Sequence, residues 1–79
     1  MTTPWTVAAV QMSSGRDVAA NLASALELVD AAAARGAEYV QVPEYVTYYG
    51  SAAGYEAAAE TVPGPATQLF ADVARRRGV

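Results

Sequence analysis

The stretch Ala37-Glu38-Tyr39-Val40-Gln41-Val42-Pro43-Glu44 decides how the chain is read. Ala37–Val42 is nearly continuously apolar and reads as a short buried strand. Pro43 ends it. Proline pushes the preceding Val42 toward extended backbone and brings no N–H to a ladder, so pairing weakens there. The strand therefore closes by presenting a carboxylate, Glu44. In open α/β sheets ligands bind beyond the carboxyl ends of the strands. Glu44 stands where a catalytic or binding group belongs.

Upstream of this strand, Gly36 sits where a helix commonly ends. From Val18 to Arg35 the residues Val18, Leu22, Leu26, Val29 and Ala33 recur at three- and four-residue steps and form one apolar helical face. Asn21, Glu27, Asp30 and Arg35 fall mostly off it, and Asp17 is placed to cap the N-terminus. Earlier still, Thr6–Met12 is apolar and partly β-branched, and the turn formers Ser13, Ser14 and Gly15 follow. It reads as a first buried strand. Strand, helix and strand in this order predict a parallel βαβ unit with a right-handed crossover. Unbroken apolar strands fit a sheet covered on both faces, yet the chain has helices for only one.

Downstream, Tyr45–Thr61 is a polar-aromatic connection broken by Gly50 and Gly54, with a short helical turn expected over Tyr55–Glu60. Val62-Pro63-Gly64-Pro65 punctuates the chain. Pro65 suits the first position of a helix. Leu69, Phe70, Val73 and Ala74 give that helix an apolar face, Arg75, Arg76 and Arg77 complement its dipole, and Gly78 caps it. Val79 is expected to open a third strand. An α/β chain that stops there is expected to be the N-terminal portion of a larger domain. By itself it is expected to be poorly structured, with long strand edges and an uncovered sheet face.

Composition narrows the class. The hydrophobic fraction of 53% overstates the core, because nineteen residues are alanine, four are leucine and none is isoleucine. Alanine favours helix but buries little area. A net charge of −3 without lysine or histidine argues against nucleic acid as a partner. With no cysteine there is no disulfide framework and no cysteine metal site. Met1-Thr2-Thr3-Pro4-Trp5 is not a secretory signal, and no segment approaches transmembrane length. A cytoplasmic location is the default.

Each candidate residue has two readings. Glu44 is a general base or electrostatic anchor, or it is a solvated loop carboxylate. Tyr45, Tyr48, Tyr49 and Tyr55 line a pocket or a subunit interface, or they pack over the sheet edge. Gln11, near the end of the first strand, either approaches the edge that carries Glu44 or satisfies backbone. Arg75–Arg77 is read as a solvated helix end, since three neighbouring residues point in different directions. Glu38 and Glu60 are read as solvated surface residues. Neither a GxGxxG pattern nor a phosphate-binding loop is present.

Val7–Met12, Asn21-Leu22, the run Ala32-Ala33-Ala34-Arg35-Gly36-Ala37, Val40-Gln41-Val42-Pro43-Glu44, and Val62-Pro63-Gly64-Pro65 with the helix ending at Arg77-Gly78-Val79 together resemble the start of a nitrilase-superfamily carbon–nitrogen hydrolase. The resemblance runs in order over nearly the whole chain. It implies that residues 1–79 form a partial domain, the β-α-β-α portion of a four-layer α-β-β-α sandwich. It also implies a Glu-Lys-Cys triad in which Glu44 matches the glutamate. In such enzymes a cysteine thiolate attacks an amide or nitrile carbon, a thioester acyl-enzyme forms, and water releases the acid. The glutamate is the base and the lysine stabilises the tetrahedral intermediate.

The chain departs from that pattern in having neither lysine nor cysteine. The 79 residues alone are therefore expected to be inactive. The intact protein is expected to be a homo-oligomer acting on a small amide or nitrile, without cofactor, nucleic acid or membrane. Amide, nitrile and N-carbamoyl hydrolysis and acyl transfer all stay open. The competing reading is a small non-catalytic α/β interaction module in which Glu44 is incidental. A continuation bearing a strand, a lysine and then a cysteine after another strand separates the two.

Overall fold

The computed structural model describes residues 3–79. Strand β1 (Val7–Ala9) leads into helix α1 (Val18–Ala34), strand β2 (Tyr39–Gln41), helix α2 (Ala52–Ala58) and helix α3 (Pro65–Arg77). The two strands are parallel, with Val7, Ala8 and Ala9 opposite Tyr39, Val40 and Gln41. This mixed α/β arrangement with a parallel βαβ start matches the order expected from sequence.

The strands are shorter than Thr6–Met12 and Ala37–Val42. Backbone bonds from Glu38 N to the Thr6 carbonyl and from Val10 N to the Gln41 carbonyl, both 2.8 Å, extend the pairing by one step at each end. Beyond Gln41 the pairing stops. Pro43, just past it, has no N–H to lend.

The strands are also buried on one face only. Val7 and Tyr39, side by side in register, are 55% and 46% exposed, whereas Ala8 and Val40 are half-buried. Alternate residues of a strand point to opposite faces. The helices thus cover the Ala8 and Val40 face and leave the other open. Trp5 packs edge-on against Tyr39 on that open face, with ring centroids 5.7 Å apart.

Local signals set the helix boundaries. The Asp17 carboxylate accepts from Ala20 N at 3.1 Å and caps α1. Gly36 takes φ of 96°, a left-handed value that other residues resist, and this lets Ala37 N return to the Ala32 carbonyl at 3.1 Å. The core of α1 is Leu22, Ala25 and Val29, and α1 packs against β2 and α3. Helix α2 begins earlier than the expected turn, because Ser51 Oγ accepts from Gly54 N at 3.1 Å and caps it.

Pro65 is the first residue of α3, and its N-cap is Gly64, which has no side chain to offer. Glu60 fills that gap: its Oε1 accepts from Ala66 N at 2.6 Å. Glu60 is solvent-exposed as expected, but it also places a negative charge at the positive end of a helix. Glu38 similarly accepts from Thr6 N, at 3.2 Å. At the far end Gly78 adopts φ of 71° and bonds the Ala74 carbonyl at 2.8 Å. Val79 then lies beside β2, lining with Val40, Val42 and Phe70 a cavity of about 380 Å³.

The arginine run is not simply solvated. Arg77 Nε and Arg76 Nη1 converge on Asp30 Oδ1 of α1, at 2.8 and 3.2 Å, while Arg75 pairs with Asp72 at 3.2 Å. Asp30 lies on the flank of α1 that meets the end of α3, so two arginines on adjacent positions reach the same oxygen. The bond from Arg77 holds the Asp30 carboxyl below its usual 3.8, and the charge of Arg76 adds to this. A carboxylate with a lowered folded-state pKa stabilises the fold above its unfolded value, and that contribution is lost as pH falls through the folded value. We therefore expect the Asp30 carboxyl resonance to titrate with a midpoint below 3.8. A midpoint at or above it would show the pair to be broken in solution.

Candidate active site

Glu44 lies in the turn just after β2 and is exposed. It opens onto a cleft of about 390 Å³ formed where both strands end. Met12, Ser13 and Ser14 come from the segment after β1, and Pro43, Glu44, Tyr45 and Tyr49 from the segment after β2. Among the described residues Glu44 makes no hydrogen bond or ion pair. Its oxygens are free to accept a proton or to orient a ligand.

The segment carrying Glu44 is tied to α1 and to the segment after β1. Asn21, in the first turns of α1, is buried at 6% exposure. Its Nδ2 donates to the carbonyls of Gly15 at 2.8 Å and Thr47 at 2.9 Å, and its Oδ1 accepts from Gly15 N at 2.9 Å. Tyr49 N also donates to the Gly15 carbonyl at 3.0 Å, and Ser14 Oγ donates to the Val46 carbonyl at 3.4 Å. The segments after the two strands are thereby held together.

The tyrosines form a continuous stack. Tyr49 meets Tyr45 edge-on at 5.4 Å, Tyr45 meets Tyr55 at 5.6 Å, and Tyr55 meets Tyr48 edge-on at 5.0 Å. Tyr48 is buried, at 7% exposure, while Tyr45 and Tyr49 are about half exposed and face the cleft. The stack is pocket rim at Tyr45 and Tyr49 and packing at Tyr55 and Tyr48.

Gln11 is exposed and does not line the cleft, so the structure does not bring it to Glu44. Its place is taken by Met12, Ser13 and Ser14. Asn21, which the periodicity groups with residues mostly off the apolar face of α1, lies on the buried face. Asn21, Ala25 and Val29 follow each other at four-residue steps and are all buried. An asparagine that continues a buried stripe by one helical turn was the available signal.

Among the described residues no helix is long and apolar enough to cross a membrane, and no group of three His, Cys, Asp or Glu side chains is placed to hold a metal ion. A protein-family model described as carbon–nitrogen hydrolase matches residues 6–79. The chain belongs to the carbon–nitrogen hydrolase family, within the nitrilase superfamily. Searches of curated proteins and of solved structures found no match. The matched region takes in both strands, the cleft and all three helices.

Proposed function

We propose that the protein hydrolyses non-peptide carbon–nitrogen bonds through a thioester acyl-enzyme, with Glu44 as its general base. The observation that supports this reading is the free Glu44 carboxylate at the carboxyl end of β2, opening into a cleft, in a member of this family. Glu44 takes the proton of a cysteine thiol, and the thiolate forms a bond to the amide carbon. The tetrahedral intermediate is stabilised by a lysine ammonium. The carbon–nitrogen bond breaks, the proton passes from Glu44 to the departing ammonia or amine, and a thioester remains. Glu44 then takes a proton from water, the hydroxide bonds to the thioester carbon, the carbon–sulfur bond breaks to release the carboxylic acid, and Glu44 returns its proton to the thiolate.

The 79 residues contain neither cysteine nor lysine, so both groups belong to other parts of the whole protein in this reading. The parallel βαβ and α3 form the opening part of a four-layer α-β-β-α sandwich, and a further sheet layer covers the open face of Val7 and Tyr39. The substrate is a small amide, nitrile or N-carbamoyl compound, and the enzyme is a cytoplasmic homo-oligomer.

The test is release of ammonia by the whole protein from an ω-amide of a dicarboxylic acid, an aliphatic nitrile and an N-carbamoyl amino acid. Turnover of at least one is expected, with hydroxamate formed when hydroxylamine intercepts the thioester. Absence of turnover on all three would overturn the reading.

A further inference from the structure

The buried amide of Asn21 does more than its own helix requires. Helix α1 already has its N-cap in Asp17, whose carboxylate accepts from Ala20 N. A leucine at position 21 would extend the buried stripe of Ala25 and Val29 without burying a polar group. Instead both N–H groups and one lone pair of the amide are engaged, and none of the partners lies in α1. One partner, Gly15, follows β1. The other, Thr47, lies in the same connecting segment as Glu44. The Gly15 carbonyl accepts from Asn21 and from Tyr49 N together, so the amide, the segment after β1 and the cleft-lining Tyr49 share one acceptor. A fully satisfied buried polar network fixes a unique geometry.

We infer that Asn21 is the positioning residue for Glu44, holding the Glu44–Tyr49 segment against the end of β1 so that the carboxylate meets the reacting thiol in register. This rests on Glu44 being the base, as proposed above. Asn21 touches neither substrate nor reacting atoms. It acts through the backbone at Thr47 and Gly15. An error of about 1 Å in placing a catalytic group costs roughly 10²-fold in rate.

The informative variant is Asn21→Asp in the whole protein. It keeps shape and the acceptor for Gly15 N, and a negative charge near the start of α1 favours the helix. It loses both donors and turns a carboxylate toward the Gly15 and Thr47 carbonyls. Asn21→Ser, which retains one donor, is the second variant.

For Asn21→Asp we expect kcat to fall roughly 10–100-fold with KM changed less than about threefold. Amide hydrogen exchange should quicken at Gly15 and Tyr49 while the α1 core around Ala25 stays protected. Asn21→Ser should show the same pattern with a smaller loss. Combined with Glu44→Gln, Asn21→Asp should cost little further, because the group it positions has gone. Near-wild-type kcat in Asn21→Asp would overturn the inference. So would a loss that multiplies in full in the Glu44→Gln background. If Glu44→Gln alone keeps near-wild-type turnover, the failure lies with Glu44 as base, and it is read separately from these outcomes.

Discussion

Glu44→Gln in the whole protein is expected to lower kcat/KM for amide hydrolysis by roughly 10²–10⁴-fold, the range that a positioned general base contributes. The side chain is exposed and makes no bond among the described residues. Exchanging its carboxylate for an amide of the same shape leaves nothing buried unsatisfied, so stability should stay within about 0.5 kcal/mol, as for surface substitutions generally. Activity and stability are thus expected to separate. The choice of control matters. Glu60 caps α3 through Ala66 N, and Glu38 accepts from Thr6 N at the start of β1, so a change at either site disturbs structure as well as charge. Glu27, exposed on α1, and Glu56, exposed on α2, are the better controls. Their Gln variants should retain activity. Near-wild-type turnover in folded Glu44→Gln would reduce Glu44 to a loop residue.

The parts of this architecture that follow from short-range chemistry were legible in the sequence. Asp17, Gly36, Pro65 and Gly78 mark helix ends through capping, positive φ and a missing N–H, and each does so in the structure. The position of Glu44 was legible for the same reason: a proline after an apolar run stops a strand wherever that run sits. The misread residues depend on tertiary contact. Asn21 is polar and looked solvent-facing, but its partners lie on two segments distant in sequence. Arg76 and Arg77 occupy successive helix positions and converge only because Asp30 of α1 lies between them. The open strand face was legible, because apolar residues reveal which faces can be covered and the number of helices shows that only one is. Strand length was overread, since the pairing spans only three residues of each apolar run.

Gly54→Ala is expected to destabilise the protein by roughly 1–3 kcal/mol, the usual cost of overpacking, although local propensity predicts the reverse. Gly54 lies inside α2, where glycine is worse than alanine by roughly 0.5–1 kcal/mol. A methyl group there, however, would overlap the Tyr48 hydroxyl and Cζ and stand 2.8 Å from Cε1. Gly50 approaches the same ring: a Cβ there would lie 2.6 Å from the hydroxyl and 2.9 Å from Cζ. The Tyr48 ring therefore lies against both glycines, and being rigid it cannot bend its tip aside. It has to swing out about χ1, exposing a side chain that is now 7% exposed and breaking its edge-on contact with Tyr55. The clash outweighs the propensity gain. A companion substitution tests this assignment. Tyr48→Phe removes only the hydroxyl, so most of the Gly54→Ala penalty should persist beside it. Tyr48→Ala removes the ring, and Gly54→Ala added to it should be neutral or stabilising. A higher melting temperature in the single Gly54→Ala variant would show that Tyr48 does not occupy this slot in solution. Tyr48 stands between Thr47, held by Asn21, and Tyr49, on the cleft. Expelling its ring also disturbs the segment that carries Glu44, so kcat should fall along with stability.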